Sequence, residues 1–265
     1  MLFLGLAAAP AVAAPPPGWH PDVRAARAWA AQRTGDVSFA VRTARRGWSW
    51  RGATTYRSAS VVKAMLLVAY LRRPDVRGRA LRADERALLD PMIRYSDNDA
   101  ADAIHERVGV SGLSALGGRA GMRHFAPYPV WGGSSIAPVD QARLFFRIDR
   151  LVPRRHRAYA MRLLRGVVST QRWGIARAVP RGWRIAFKGG WGKGVTREVN
   201  HQAALLTNGR LRVSIAVMTA DNPSHDYGAA TQQGVAARLL RGLARIAKGK
   251  VVRVRRGLGR PQRSR

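Results

Sequence analysis

Ala59-Ser60-Val61-Val62-Lys63-Ala64-Met65-Leu66 is the stretch on which the reading of this chain turns. Apolar residues surround Lys63, so the segment reads as a helix buried on all sides, beginning at Ser60 and running to about Leu71. A lysine inside such a helix needs a partner, because an unpaired buried ammonium is costly. Ser60 stands three positions before Lys63 and therefore on the same helical face. The chain writes its cations almost entirely as arginine: of 47 Lys and Arg residues, five are lysines. Arginine keeps its proton in a protein, whereas a lysine amine can release it when its pKa is lowered. A lysine that escapes this bias is a candidate amine. Further along, Lys188 opens Lys188-Gly189-Gly190, and Ser96-Asp97-Asn98 lies between the two lysines.

Each motif alone has an ordinary explanation: a helix cap followed by a surface lysine, an N-cap for the helix after Asp97, and a strand that ends in a flexible loop. Taken in order, they point to an active-serine acyl-transfer site. A serine hydroxyl attacks only when a base takes its proton, and the Lys63 amine is that base if burial lowers its pKa. The helix N-terminus favours negative charge on the attacking oxygen. Ser96 would pass a proton to the leaving group, Asn98 would hold a substrate carbonyl, and Lys188 would fix Ser96 electrostatically. The strand edge at Gly189, Gly190 and Trp191 would receive the substrate backbone. The amides of Ser60 and Trp191 would form an oxyanion hole.

Periodicity places these motifs. His20–Arg33 reads as a helix, Asp36–Thr43 and Gly47–Tyr56 as strands. Ala83–Tyr95, Asp97–Val108, Ser111–Ala120, Pro138–Ile148 and Arg154–Val167 carry helical spacing, and Phe125–Ser135, with its prolines and glycines, is loop. Trp183–Phe187, Val199–Thr207 and Arg210–Thr219 read as strands, the last two joined at Asn208-Gly209 as a hairpin. Asp226–Ala247 closes the chain as one long helix. Lys188-Gly189-Gly190 is expected to end its strand and begin a Gly-rich turn. Both ends of the chain thus supply one antiparallel sheet, with a helical block inserted between them. The fold class is α/β (α+β), with a cleft between a sheet lobe (20–59 and 181–247) and a helical lobe (60–180).

The order Ser60-x-x-Lys63, Ser96-Asp97-Asn98, Lys188-Gly-Gly resembles the class A β-lactamases and related penicillin-binding proteins of the transpeptidase-like superfamily. Tyr95 before the second motif, Asn98-Asp99-Ala100-Ala101 after it, and Trp183 ahead of the third support the likeness over about His20 to Ala247. The resemblance implies a five-stranded antiparallel sheet flanked by helices, catalytic Ser60, Lys63, Ser96 and Lys188, and substrate binding by Asn98, Gly189, Gly190 and Trp191. Three departures stand out. The family's deacylating Glu, carried on a long loop after the second motif, has no counterpart: the glutamates are Glu85, Glu106 and Glu198, and the loop, about Ala120 to Ala137, is short. Asp140 reads as a helix N-terminal charge. Gly189 stands where the family has a hydroxyl that binds a substrate carboxylate. The short span from the Ser60 helix to Ser96 removes a flap from the cleft rim. A more open cleft and slow deacylation are therefore expected.

The absence of cysteine excludes disulfides, thiolate metal sites and cysteine nucleophiles. The histidines show no ligand spacing, so no metal and no cofactor are expected. His201 and Gln202 alternate faces, so one could point at the cleft, and Trp173 could line it. The apolar run from Met1 to Ala9, followed by Ala11-Val12-Ala13, reads as a secretory signal peptide, residues 1–13, cut before a linker, 14–19. That implies a secreted or extracytoplasmic protein, although no cation precedes the apolar run. The net charge of +32 reads mostly as arginine coding bias on a solvated surface. The tail 248–265, with eight cations and no acid, reads as disordered and suited to an anionic wall polymer or membrane head groups. No nucleic-acid motif accompanies the charge. A monomer acting on a β-lactam is expected first, and a D-alanyl-D-alanine peptidase acting on a peptidoglycan stem peptide second. A non-catalytic envelope-binding protein is the third reading.

Overall fold

The computed structural model describes residues 18–248. The signal peptide, most of the 14–19 linker and nearly all of the basic tail lie outside the described residues. The chain opens with helix α1 (Val23–Ala31), capped by the Asp22 carboxylate, which accepts from the Ala25 amide at 2.9 Å. Strands β1 (Asp36–Arg42) and β2 (Gly47–Trp50) form the first hairpin, and β3 (Tyr56–Arg57) follows. A 3₁₀ turn over Ala59–Val62 leads into α2 (Lys63–Leu71). The middle consists of α3 (Ala83–Arg94), α4 (Asn98–Ala120), β4 (Ser135–Ile136), α5 (Pro138–Leu151) and α6 (Arg157–Arg165). The end returns to β5 (Arg184–Lys193), β6 (Glu198–Asn208), β7 (Leu211–Asn222), α7 (His225–Leu239) and α8 (Leu243–Lys248).

The sheet has the order β2-β1-β7-β6-β5 and every pairing is antiparallel. The two ends of the chain meet at β1 and β7, in register from Asp36 opposite Ala220 to Arg42 opposite Ser214. Side chains alternate across the sheet. Val37, Phe39, Val41, Ile215, Val217 and Phe187 face α1 and α7, where Ala26, Ala30, Val235 and Leu239 close a buried core. The other face carries small residues, among them Ala40, Ala186, Ala203 and Ala216, and packs into the core that contains α2. Small side chains there let helices approach closely. Each Leu or Ile sealed into these cores contributes about 1.5–3 kcal/mol of apolar burial. Every residue of α2 is buried, so the helix that starts at Lys63 runs through the centre of the molecule. α5 lies on β1, β6 and β7 and is fastened by the Ser214 hydroxyl, which donates to the Ala142 carbonyl at 2.6 Å, and by an Arg212–Asp149 ion pair at 2.7 Å.

Four expectations are corrected. The second strand stops at Trp50, because Arg51 takes φ 49° and turns the chain; Tyr56–Arg57 pairs instead with Ser135–Ile136. Ser60 lies in a 3₁₀ turn, and the α-helix itself starts at Lys63. The closing helix breaks between Leu239 and Leu243, at Gly242 with φ 86°. Lys188-Gly189-Gly190 sits in the middle of β5, with Lys188 opposite Ala203, Gly189 opposite Gln202 and Gly190 opposite His201. It is strand, and its glycines answer to neighbours rather than to a turn.

Candidate active site

Ser60 occupies the turn that joins β3 to α2. The turn is held by the Ser58 amide, which donates to the Ser134 carbonyl at 2.7 Å, and by the Val61 amide, which donates to the Ser58 carbonyl. Ala59, just before Ser60, has φ 43°. A non-glycine residue in that region is strained, and such strain gathers at functional turns. β5 runs flush against the turn: a Cβ on Gly190 would lie 2.8 Å from the amide nitrogens of both Ser60 and Val61. Glycine is therefore required at 190, and the third motif abuts the backbone of the first.

Lys63 has no solvent exposure. Its Nζ donates to the Ser96 carbonyl at 2.6 Å, the Asn98 Oδ1 at 2.7 Å and the Asp97 carbonyl at 3.0 Å, with the Ser96 hydroxyl at 3.4 Å. The amine also sits 4.6 Å from the centroid of the Trp131 ring. Burial lowers the pKa of Lys63 to about 8, against the opposing pull of Asp97 and Asp102. Lys188, also fully buried, donates to the Ser96 hydroxyl at 3.0 Å and to the Gly189 carbonyl at 2.9 Å. Burial, and then the charge on Lys63, push its pKa well below the usual lysine range. Ser96 has φ 62°, and its hydroxyl lies between the two amines. Among the described residues no hydrogen bond joins Lys63 Nζ to the Ser60 hydroxyl; the lysine is engaged with the second motif. The arrangement sets two amines of lowered basicity around one hydroxyl beside a strained serine turn.

Asn98 gives its carbonyl oxygen to Lys63, which fixes the orientation of its amide. At Gly189 a Cβ would lie 3.2 Å from Trp173 Cζ2, a tight approach that the indole would have to relieve by a few tenths of an ångström. Trp173 stands perpendicular to Trp191 and to His225, with ring centroids 5.8 and 5.0 Å away. The sequence flagged Trp173 but not His225.

The loop after the second motif carries no glutamate, and Asp140 helps anchor it: its Oδ2 accepts from the Arg123 and His124 amides at 2.9 and 2.6 Å. What this loop presents to Lys63 is Trp131, whose Nε1 donates to Asp102 at 2.6 Å. Trp131 is the main site residue the sequence missed, and its one signal was a tryptophan followed by two glycines in a loop rich in proline and aromatic residues. Neither His201 nor Gln202 reaches solvent. Gln202 is spent on Ile175 and Trp173 backbone groups. His201 lies buried behind Gly190, 5.3 Å from the Tyr56 ring, with no partner on either ring nitrogen.

Solved structures similar to this one include β-lactamases and PBP-A. The β-lactamase of Sphaerobacter thermophilus DSM 20745 is 21% identical, with a TM-score of 0.72 over 83% of this chain and 96% of that one. The class A β-lactamase of Mycobacterium abscessus is 18% identical, with a TM-score of 0.68 over 84% and 99%. PBP-A is 17% identical, with a TM-score of 0.70 over 84% and 97%. Identities this low establish the fold alone. No curated protein matches in sequence. Residues 77–243, more than half of the chain and inclusive of the second and third motifs, match the Beta-lactamase enzyme family, and the chain belongs to that family.

Proposed function

We propose that this protein is an active-serine hydrolase that is acylated at Ser60 by a β-lactam or a related amide and releases the acyl group slowly. The observation that carries this reading is the shared hydroxyl: Ser96 accepts from Lys188 at 3.0 Å and lies 3.4 Å from Lys63, with both amines buried. A neutral Lys63 takes the Ser60 proton as the oxygen attacks the carbonyl carbon. The Ser60 and Trp191 amides receive the developing oxyanion. Ser96 relays the proton to the departing nitrogen, and Lys188 holds that hydroxyl in place. Release then requires a base for water on the opposite face. Trp131 faces Lys63 from the short loop, and Asp140 is committed to backbone amides. Both observations support a long-lived acyl-enzyme.

The second reading, a D-alanyl-D-alanine peptidase, draws on the same slow release. Gly189 argues against it, since the residue offers no hydroxyl to meet a terminal carboxylate. The Ala11-Val12-Ala13 leader supports an extracytoplasmic place of action. Intact mass after incubation with a penicillin tests the reading. A lasting adduct is expected on the parent chain and none on Ser60→Ala. Fast hydrolysis without an adduct would remove the slow-release claim, and no adduct together with no turnover would leave a non-catalytic binder.

A further inference from the structure

At the far end of α2 from Lys63, nine residues or about 14 Å of helix rise away, lies a cavity of about 470 Å³. Five arginines line it, Arg72, Arg73, Arg77, Arg107 and Arg119. Arg73 is spent on Asp75 and the Arg107 carbonyl, and Arg72 donates to the Leu151 carbonyl at 2.7 Å, which leaves the forks of Arg77, Arg107 and Arg119 for a ligand. The cavity's one acid, Asp75, is engaged on both oxygens by Arg73, at 3.0 and 3.2 Å. Arg72, Arg77 and Arg119 line the one cavity, and burial, then the charges of Arg119 and Arg77, lower Arg72 from its ordinary basicity, in keeping with mutual repulsion. Arginine cannot relieve that repulsion by losing a proton. An independent feature points the same way. α4 is broken at Gly109, with φ 68° and ψ 172°, so its second part, 110–120, begins anew there. Ser111 and Gly112, in the first turn of that part, line the same cavity. A helix start carries orphan amides and positive potential, which bind oxyanions.

We infer that this cavity is a binding site for a phosphoryl group, a mono- or diester anion held by the arginine forks and the opening turn of helix 110–120. Guanidinium groups match phosphate oxygens in paired hydrogen bonds. The site is remote from Ser60 and stands independently of the acyl-transfer reading.

Isothermal titration with inorganic phosphate, at matched ionic strength against chloride, tests it on the full chain. Saturable binding is expected, with affinity about tenfold or more weaker in Arg77→Ser/Arg119→Ser, since the charge-assisted bonds of two forks are lost. Arg24→Ser/Arg27→Ser on α1 removes the same charge elsewhere and should bind like the parent. Parallel arms with poly(glycerol phosphate) and with phosphatidylglycerol vesicles identify the source: tighter binding than free phosphate, lost in the same cavity variant, assigns the group to a polymer or to a lipid. Binding that does not saturate, or that falls equally in both double variants, overturns the site. So does polymer or vesicle binding that ignores Arg77 and Arg119.

Discussion

The residue that decides the chemistry is Lys63, and two of its properties pull in opposite directions. Burial disfavours its charge, while three close oxygen acceptors from the second motif support it; the outcome is a pKa of about 8. The neutral form is the proposed base, so the second-order acylation rate should rise with pH and level off above about 8. Burst amplitude and rate across pH 6–10 measure this. A flat profile would show that Lys63 is not the base. Lys63→Arg, which keeps the charge but cannot deprotonate, should slow acylation by about 10²–10⁴-fold. His201 has the opposite meaning. It is sealed behind Gly190 with both nitrogens unpartnered, and burial lowers its pKa to about 4 from 6.5. Below pH 6.5 the unfolded chain takes up this proton and the folded one does not, so stability falls as pH drops from 6.5 to 4, by up to about 3 kcal/mol. His201→Leu should flatten that limb in urea titrations at pH 6.5, 5.5 and 4.5. If both proteins lose stability in parallel, His201 is not the titrating group.

At the scale of elements, the sequence located the sheet strands, the helical block and all three motifs, because alternation and helical spacing are local signals. It failed where a neighbour distant in sequence decides. Gly189-Gly190 read as a turn because two glycines in a row usually mark one. Their real causes are Trp173 beside position 189 and the Ser60 amide beside position 190, and neither is visible from local pattern. The same holds for Trp131, which becomes a site residue only when its loop folds over α2. The break in α4 was legible, since Gly109 separates two apolar periodicities and then adopts a backbone shape nearly closed to other residues. Gly109→Ala should therefore destabilise the protein by about 1–3 kcal/mol. Gly118, in the same helix with open space at its Cβ, should respond the other way, and Gly118→Ala should stabilise by about 0.5–1 kcal/mol. Urea midpoints of the two variants check the pair. Equal signs would mean that the break at Gly109 is not required by the backbone.

For the molecule as a whole, the governing quantity is the +32 net charge. Six ion pairs form among the described residues, and several involve exposed partners, so most of the described arginines have no acid partner. Exposed pairs contribute about 0–1 kcal/mol each, whereas repulsion among the surplus cations acts on the compact state throughout and vanishes when the chain expands. Repulsion should win. Salt shortens the screening length from about 30 Å at 0.01 M to about 3 Å at 1 M, so added NaCl weakens the long-range repulsion first and touches the partly buried Arg212–Asp149 contact least. The melting temperature should therefore climb steeply between about 0.01 and 0.3 M NaCl and then level off, as screening does. Scanning fluorimetry over that range checks it. A melting temperature that falls with salt would mean that the few ion pairs outweigh the surplus, and the surface arginines would then have to be arranged in a network rather than spread by coding bias.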